Sequence, residues 1–543
     1  MQFLIPLIFI FWFVAVLKNI LFWIYMWQTK EYRIDRMRVH FELPTSKNLI
    51  LNKKNAWLGI LFLFSLAPFS LMRFSIAILV LVLYVLFSFR AMRQYQDNTI
   101  KIPRFTIRGS LVVFGVITTY ILLSIVVFIF INKMMVSWFL IADILIPLFV
   151  AGFIGASHPV SIWIKNRIIK KATRKRERLK NLLVIGITGS YGKSSMKEIL
   201  FTILKDNFNT IKTPKNINAD IGIAKVFLKD ATEKHDVFIV EMGAYKRGEI
   251  QKTTNMIKPQ IGILTGINPQ HISLFGSLQN IQKAKYELME SLPSKGLAIF
   301  NGDNENVRAL YRQCKNPKRL YSTNPSIDHG SQKVLVSEIS NTPKGLEISV
   351  YEDGEENVLL KAPLLGKHNA TNIVGAVTVA RELGIDYTDI KRALLKVKAP
   401  PHTLQLKKGI KDSIVIDDAY ASNEDGVSAA LKVLDTLKGN KKICILQPLI
   451  ELGDSAERVH KKIANEIAKV CDYLIVTSRD YYSIILKEAI DNGMSKDNIF
   501  CLLRPQEALR KAQELINKDD IVLVENRVSE VVLNGVTLHL SNE

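Results

Sequence analysis

Cysteine is scarce in this chain: Cys314, Cys444, Cys471 and Cys501 are the only four in 543 residues. None forms a CxxC pair and none stands at a ligand spacing from a histidine. That argues against a disulfide framework and a cysteine–histidine zinc site, and it suits a reducing cytoplasm. Acidic residues are also in short supply. Fifty Asp and Glu face 72 Lys and Arg, a formal net charge of +22. The basic runs lie beside long apolar runs, which favours loops flanking membrane helices over nucleic-acid binding, and no nucleic-acid partner is expected.

One stretch organises the rest. Residues 182–200, LLVIGITGSYGKSSMKEIL, read as strand, glycine loop and helix. Leu182 to Ile185 suit a buried strand. Gly186, Gly189 and Gly192 allow a tight turn and close approach of a ligand to the backbone. Lys193, Ser194 and Ser195 open a helix whose free N–H groups and dipole favour an anion. Lys193 can pair with phosphate and the Ser194 hydroxyl with Mg²⁺. Five residues rather than four separate Gly186 from Gly192, so the loop departs from the usual Walker spacing. No second loop of this kind occurs, and the acid that ends the next buried strand, Glu241, is followed by Met-Gly-Ala. Both features speak against a transport ATPase.

What the chain has in excess is hydrophobic residues, 48% of the total, concentrated before residue 160. Residues 3–27 are apolar apart from Lys18 and Asn19, long enough for a bilayer crossing of about 20 residues. They lack the basic start, short apolar core and small-residue end of a signal peptide, so a retained span is expected. Residues 30–40 are strongly charged. Residues 56–89 are apolar again, but about 34 residues at ~1.5 Å each exceed one crossing. Pro68 and Arg73 mark a turn there between two short helices. A basic loop at 90–108 precedes spans at 108–131 and 135–156. Five crossings put every basic loop on the cytoplasmic face with the N-terminus outside. A single crossing at 56–89 would leave the glycine loop outside, away from ATP. Residues 165–180, KNRIIKKATRKRERLK, form a basic amphipathic collar, either a topology anchor or a lipid-headgroup contact.

Further along, Asn216 and Asn218 can present amides to a substrate or to phosphates, or serve as turn residues. Residues 237–240 form a strand ending at Glu241, placed to hold the Mg²⁺ of a nucleotide or to cap a turn. A strand at 261–267 leads to Asn268 and His271. A helix over 276–292 puts Ile281, Ala284, Lys285 and Leu288 on one face, so Lys285 lies on the apolar side and Lys283 elsewhere. A buried lysine has a lowered pKa. Its neutral amine can take up CO₂ to form a carbamate, although a snorkelling stem is the plainer reading. Residues 333–365 read as antiparallel strands attached to the main sheet, with turns at 342–345 and 352–356. A helix follows from 365 to about 383. Beyond a Pro-rich joint at 398–401, strands at 413–416, 443–447, 473–477 and 521–524 alternate with helices.

The segments GITGSYGKSS, EMGAYKRGEI, NPQHISLFGS, KAKYELMESLP, IFNGDN, GKHNATN and IDDAYASN, in this order, resemble the Mur ligases, nearest to those that add a dipeptide to a peptidoglycan precursor. The resemblance runs from about residue 182 to near the C-terminus. It implies an ADP-forming carboxylate–amine ligase working through an acyl phosphate, with ATP and two Mg²⁺ ions. It implies Lys193, His271 and Lys285 as catalytic groups, and Gly189, Ser190, Gly192, Lys193, Ser194, Ser195, Asn372 and Asp418 around the nucleotide. It implies Ser194, Glu241, His271 and a carbamylated Lys285 around the metals, and Asn216, Asn218 and Asn423 toward the substrates. The fold it implies is a P-loop central domain (182–397) and a C-terminal Rossmann-like domain (398–543). These follow an N-terminal transmembrane helical domain (1–160) and a basic linker (161–181).

The chain departs from the family pattern at several points. Thr403 and Glu525 stand where cations are expected, and Ala421 and Glu424 replace an Asn and a Pro. These changes put the incoming amino acid or dipeptide in doubt. Membrane helices also stand where the family has a soluble domain that grips a UDP-sugar. The expected partners are therefore the bilayer and a lipid-linked cell-envelope precursor, with a UDP-linked one as the alternative. The expected location is the inner membrane, multi-pass, with the ligase domains in the cytoplasm. A membrane scaffold that binds ATP without ligating, or a non-ligating ATPase, is the rival reading.

Overall fold

The computed structural model describes residues 3–42, 46, 48–50, 52–97, 100–215, 217–327, 332–342, 345–352, 357–420 and 422–538. The chain divides into two compact units, residues 1–166 and 167–543.

The first unit is helical: α1 (Leu4–Thr29), α2 (Ile34–Glu42), α3 (Lys53–Ser65), α4 (Ser70–Gln96), α5 (Ile107–Ile131) and α6 (Met135–Arg178), which runs on into the second unit. Among the described residues, three stretches are long and apolar enough to cross a membrane: Leu4–Thr29, Leu71–Gln96 and Ile107–Arg178. The break at Pro68 falls where the sequence places it, but its two arms are unequal. At 13 residues, α3 rises only about 20 Å, short of a ~30 Å hydrocarbon layer, whereas α4 has 27 residues. Asn52 caps α3 by accepting from the Asn55 N–H at 2.8 Å, which starts the helix ahead of its apolar run. Inside this unit two buried aromatic side chains find backbone partners for their polar atoms. The Trp12 indole donates to the Phe139 carbonyl at 2.8 Å and Tyr120 to that of Ala142 at 2.9 Å.

Among the described residues the second unit holds three sheets. β1 (Leu183–Thr188), β2 (Thr210–Lys212), β3 (Val237–Glu241), β4 (Ile261–Leu264), β5 (Leu297–Asn301) and β6 (Lys318–Tyr321) form a six-stranded sheet, order β2-β3-β1-β4-β5-β6. Its strands are parallel throughout. β1, β3 and β4 are buried on both faces, as their unbroken apolar runs require. The order reverses between β1 and β4, so the crevice beyond the carboxyl ends of those two strands is the place for a ligand. Helix α7 (Lys193–Leu204) follows β1, and α8 (Leu278–Glu290) lies between β4 and β5.

β7 (Leu335–Thr342), β8 (Gly345–Tyr351) and β9 (Val358–Ala362) make their own antiparallel sheet. The expected attachment to the main sheet is through a shared core and not through ladder hydrogen bonds. Their inward residues, among them Val336, Ile348 and Leu360, join a core with α7 and α9 (Lys367–Glu382). The turn residues 343–344 and 353–356 lie outside the described residues. β10 (Gln405–Lys408), β11 (Ile414–Asp418), β12 (Lys442–Leu446), β13 (Tyr473–Val476), β14 (Ile499–Cys501) and β15 (Ile521–Glu525) form the C-terminal sheet, order β10-β11-β15-β12-β13-β14, with β10 alone antiparallel. Residues 165–178 of the basic stretch belong to α6. Lys175 Nζ donates to the Leu228 carbonyl at 2.8 Å and Arg176 Nε to that of Ile257 at 2.7 Å, so this end of the helix is fastened to the parallel-sheet domain.

Candidate active site

β1 ends at Thr188 and the chain turns through Gly189 and Gly192 into α7. Both glycines are required. Gly189 has φ +151° and a Cβ there would lie 2.2 Å from Thr265 Oγ1. Gly192 has φ +76° and a Cβ there would meet Asn372 Oδ1 at 2.9 Å. That close approach brings the start of α9 onto the loop. Lys193 curls back over it, donating to the carbonyls of Gly189 at 2.7 Å and Ser190 at 3.1 Å. Burial lowers the Lys193 pKa from its usual value, and the carboxylate of Glu241 pulls the other way.

β3 neighbours β1 and ends at Glu241, the hub of the polar network. Glu241 Oε2 accepts from Ser194 Oγ at 2.9 Å and from Lys197 Nζ at 2.9 Å, and Oε1 accepts from Asn218 Nδ2 at 3.2 Å. Lys197 is fully buried, and the sequence reading passed over it. Its signal is the helical i+4 spacing from Lys193, which returns a second ammonium to the same side of α7. Asn216 lies outside the described residues.

β4 leads to His271, which sits at φ +61°. Its Nδ1 pairs with Glu451 Oε2 of the C-terminal domain at 2.5 Å, leaving Nε2 as the nitrogen able to take a metal. Burial lowers the His271 pKa despite Glu451, so the neutral imidazole is favoured. α8 starts at Ser277, whose hydroxyl accepts from the Asn280 N–H at 3.2 Å. Lys285 is 4% exposed, on the apolar face as the periodicity predicts. Burial first, then the nearby charge of Lys193, brings its pKa down to about 7.

These groups share one crevice. A cavity of about 440 Å³ is lined by Lys193, Ser194, Glu241, His271, Asn372 and Asp418, among others. That volume falls in the range of small-molecule sites. Ser190, Gly192, Ser195, Asn218 and Asn423 also border it. A smaller cavity of about 60 Å³ touches Gly189, Lys193, His271 and Lys285. Thus every described residue that the resemblance assigns to the nucleotide, the metals or the substrates borders one of the two, whereas Asn268 borders neither. Asn423 has a structural task as well: its side chain caps the helix Glu424–Thr436, accepting from the N–H groups of Asp425 and Gly426 at 3.0 and 3.1 Å.

The C-terminal wall is different in character. Thr403 borders the cavity and its hydroxyl is spent on the Pro400 carbonyl at 2.6 Å. Asp418, at the end of β11, accepts from the Leu404 N–H at 3.0 Å. Burial raises its pKa to about 6. Beside it Glu525, at the end of β15, is fully buried, and neither carboxyl oxygen meets a donor. Burial and Asp418 together hold its pKa well above the carboxylate range, which keeps it protonated. Two cations that the sequence reading did not mark, Lys398 and Arg527, border the cavity. The signal for Arg527 was its place just past β15, where strand ends meet the crevice. Ala421 lies outside the described residues.

The donor set suits Mg²⁺. Glu241 supplies a carboxylate and Ser194 a hydroxyl, both hard oxygens. Among the described residues no three His, Cys, Asp or Glu converge. This is the pattern of an ion completed by phosphate oxygens and water rather than by an all-protein cage. Around His271 a second ion would need an acidic oxygen, which Lys285 offers only as a carbamate.

Comparison with known proteins identifies the family of the domains that build this crevice. The family model for the Mur ligase middle domain matches residues 187–380, and that for the Mur ligase, glutamate ligase domain, residues 404–525. The UDP-N-acetylmuramoyl-tripeptide–D-alanyl-D-alanine ligase of Escherichia coli K12 is 30% identical over 327 residues, 59% of this chain and 71% of the relative. The Bacillus subtilis 168 protein of the same name is 28% identical over 343 residues, 63% of this chain and 72% of the relative. Among solved structures, MurF from Acinetobacter baumannii superposes with a TM-score of 0.60 at 23% identity, covering 68% of this chain and 80% of that one. MurF from Thermotoga maritima in complex with ADP gives 0.58 at 22% identity, covering 68% and 83%. The matched family models begin after the first helical unit.

Proposed function

This chain belongs to the Mur ligase family, and from that premise we propose that it is a membrane-anchored, ADP-forming ligase. It joins an amino acid or dipeptide to the carboxylate of a peptidoglycan or related cell-envelope precursor. The observation that carries the reading is the meeting of Lys193, Ser194, Glu241, His271 and Lys285 at the carboxyl ends of β1, β3 and β4 and on the helices beside them.

The obstacle in this chemistry is repulsion, because an anionic carboxylate must touch an anionic phosphate. A carboxylate oxygen bonds to the γ-phosphorus of ATP as the bond to the bridging oxygen breaks, and ADP leaves with that oxygen. The amine then attacks the acyl carbon, inorganic phosphate departs, and the amine's proton is lost. Bound Mg²⁺ would supply positive charge at the phosphates. Lys193 steadies the β- and γ-phosphates, and the loop N–H groups cradle them. Lys197 holds the carboxylate of Glu241 in place. Lys285, with a pKa of about 7, has its free amine within reach of CO₂: the nitrogen bonds to carbon and releases one proton, leaving a carboxylate beside His271.

The helical unit supports anchoring. Its α4 and α5 expose large apolar side chains such as Leu86, Phe114 and Phe130, as lipid-facing helices do. An enzyme held at the bilayer meets a lipid-linked acceptor at raised effective concentration, and we assign the acceptor to that class. The test is phosphate release by the full-length protein in detergent. Envelope-lipid extract or a UDP-muramoyl-tripeptide serves as acceptor, and D-alanyl-D-alanine or single amino acids as donor. Release that needs both partners, with an amide product by mass spectrometry, is expected. Steady release without an amine would mean a simple ATPase, and none under any condition a scaffold.

A further inference from the structure

The first unit carries charge where apolar helices can least tolerate it. Lys18 is the sole charged residue of α1 and lies 11 residues before its end at Thr29, about 16 Å of helix rise. That is beyond the reach of a snorkelling side chain. Asp143 of α6 is the one carboxylate between Asp97 and Glu177. It is buried and pairs with Lys54 of α3 at 2.8 Å, while Asn19 donates to it at 2.9 Å. Lys54 also lies 5.0 Å over the Phe87 ring.

Around this pair are two cavities, of about 160 and 260 Å³, that share Lys18, Asn19 and Lys54 as walls. Arg90 borders the smaller, and Asn55 and Asp143 the larger. Both are far larger than one water, whose share of volume is about 30 Å³. Three cations against one carboxylate leave a surplus of two positive charges. Among the described residues neither Lys18 nor Arg90 has a carboxylate partner. The first turn of α3 also faces the larger cavity through Asn52, Lys54 and Asn55, adding the positive end of a helix dipole. Ionisable groups inside a membrane bundle are costly, and a ligand of opposite charge offsets the cost.

We propose that the smaller of these cavities, the one Arg90 borders, binds the phosphate-bearing headgroup of a lipid, a phosphomonoester or diphosphate, through Lys18, Lys54, Arg90 and the amide of Asn19. A doubly charged phosphate matches the surplus, and the apolar helices around it suit the attached chain. The proposal rests on the membrane reading of these helices and gives the lipid-linked acceptor a place to dock.

Native mass spectrometry of the full-length protein in detergent tests it, with farnesyl diphosphate, inorganic pyrophosphate and phosphatidylcholine as probes. Farnesyl diphosphate should be retained and phosphatidylcholine lost. Lys18→Gln or Arg90→Gln should each weaken retention about fivefold, and the double variant more than tenfold, with ADP binding by the same samples as the check of folding. Lys54 is left intact because it neutralises Asp143. Wild-type retention by the double variant would overturn the proposal. Pyrophosphate bound as tightly as farnesyl diphosphate would overturn the lipid assignment in favour of a soluble anion. Retention does not depend on turnover. A water-soluble acceptor in the ligase assay would therefore overturn the acceptor reading alone, and failure of the wild type to retain farnesyl diphosphate the cavity assignment alone.

Discussion

The two walls of the large crevice are built on opposite electrostatic plans. The wall from the parallel-sheet domain brings Lys193 and Lys197 to the carboxylate of Glu241 and sets Lys285 within range of the Lys193 charge. The C-terminal wall buries two carboxyl groups, Asp418 and Glu525, and keeps Lys398 and Arg527 at its rim. The first wall is arranged for phosphate. In the proposed reading the second receives the amine donor, and it is this wall that carries Thr403 and Glu525.

The sharpest break in that comparison is Lys193→Ala. Removing a charge-stabilising donor from a water-poor phosphate site costs about a thousandfold in turnover, read as ADP release with saturating acceptor and amine. A loss below about tenfold would show that the first wall does not handle the transferred phosphate.

Lys285→Ala comes next, with an expected loss of about a hundredfold and partial recovery in added acetate, which can stand in for the missing carbamate. The pH dependence follows from a Lys285 pKa of about 7. Below that value the amine is protonated and cannot take up CO₂, so wild-type activity falls as pH drops through about 7. The acetate-rescued variant should lack that limb. Full activity in Lys285→Ala without acetate would remove the carbamate.

Arg527→Ala tests the second wall. Losing one charge-assisted hydrogen bond should raise KM for the amine donor about tenfold and leave KM for ATP nearly alone. An equal rise in both would place Arg527 with the nucleotide, and the division between the walls would fall.

Most of the first wall was legible in the sequence because its chemistry is contiguous. GITGSYGKSS states strand, turn and helix in one breath, and the periodicity of 276–292 alone put Lys285 inside. Lys197 was missed because a lysine one turn into an amphipathic helix looks like surface charge, and only the packing of α7 buries it. The antiparallel sheet β7-β8-β9 was legible as strands but not as a separate sheet, since alternation fixes a buried face and not which neighbour covers it. The Glu451–His271 pair joins residues 180 positions apart, which no local pattern encodes. The unequal arms around Pro68 escaped for a related reason. Hydropathy marks the break but not how far each helix continues through polar flanks.

Glu525 gives the smallest effect and the cleanest sign. Its native pKa is raised well above that of the unfolded chain. Below about pH 4.5 both states are protonated, and Glu525→Gln should match the wild type in stability. As pH rises past that point the unfolded chain ionises Glu525 while the native state does not. The wild type therefore loses on the order of 1 kcal/mol per pH unit relative to the variant until the native pKa is reached. Urea unfolding of both proteins between pH 4 and 7 reads this directly, and the variant should be the more stable at neutral pH. Curves that stay parallel across the range would mean that Glu525 is ionised in the native protein. The second wall would then hold a second buried negative charge beside Asp418, in need of a cation from the substrate, rather than a protonated Glu525.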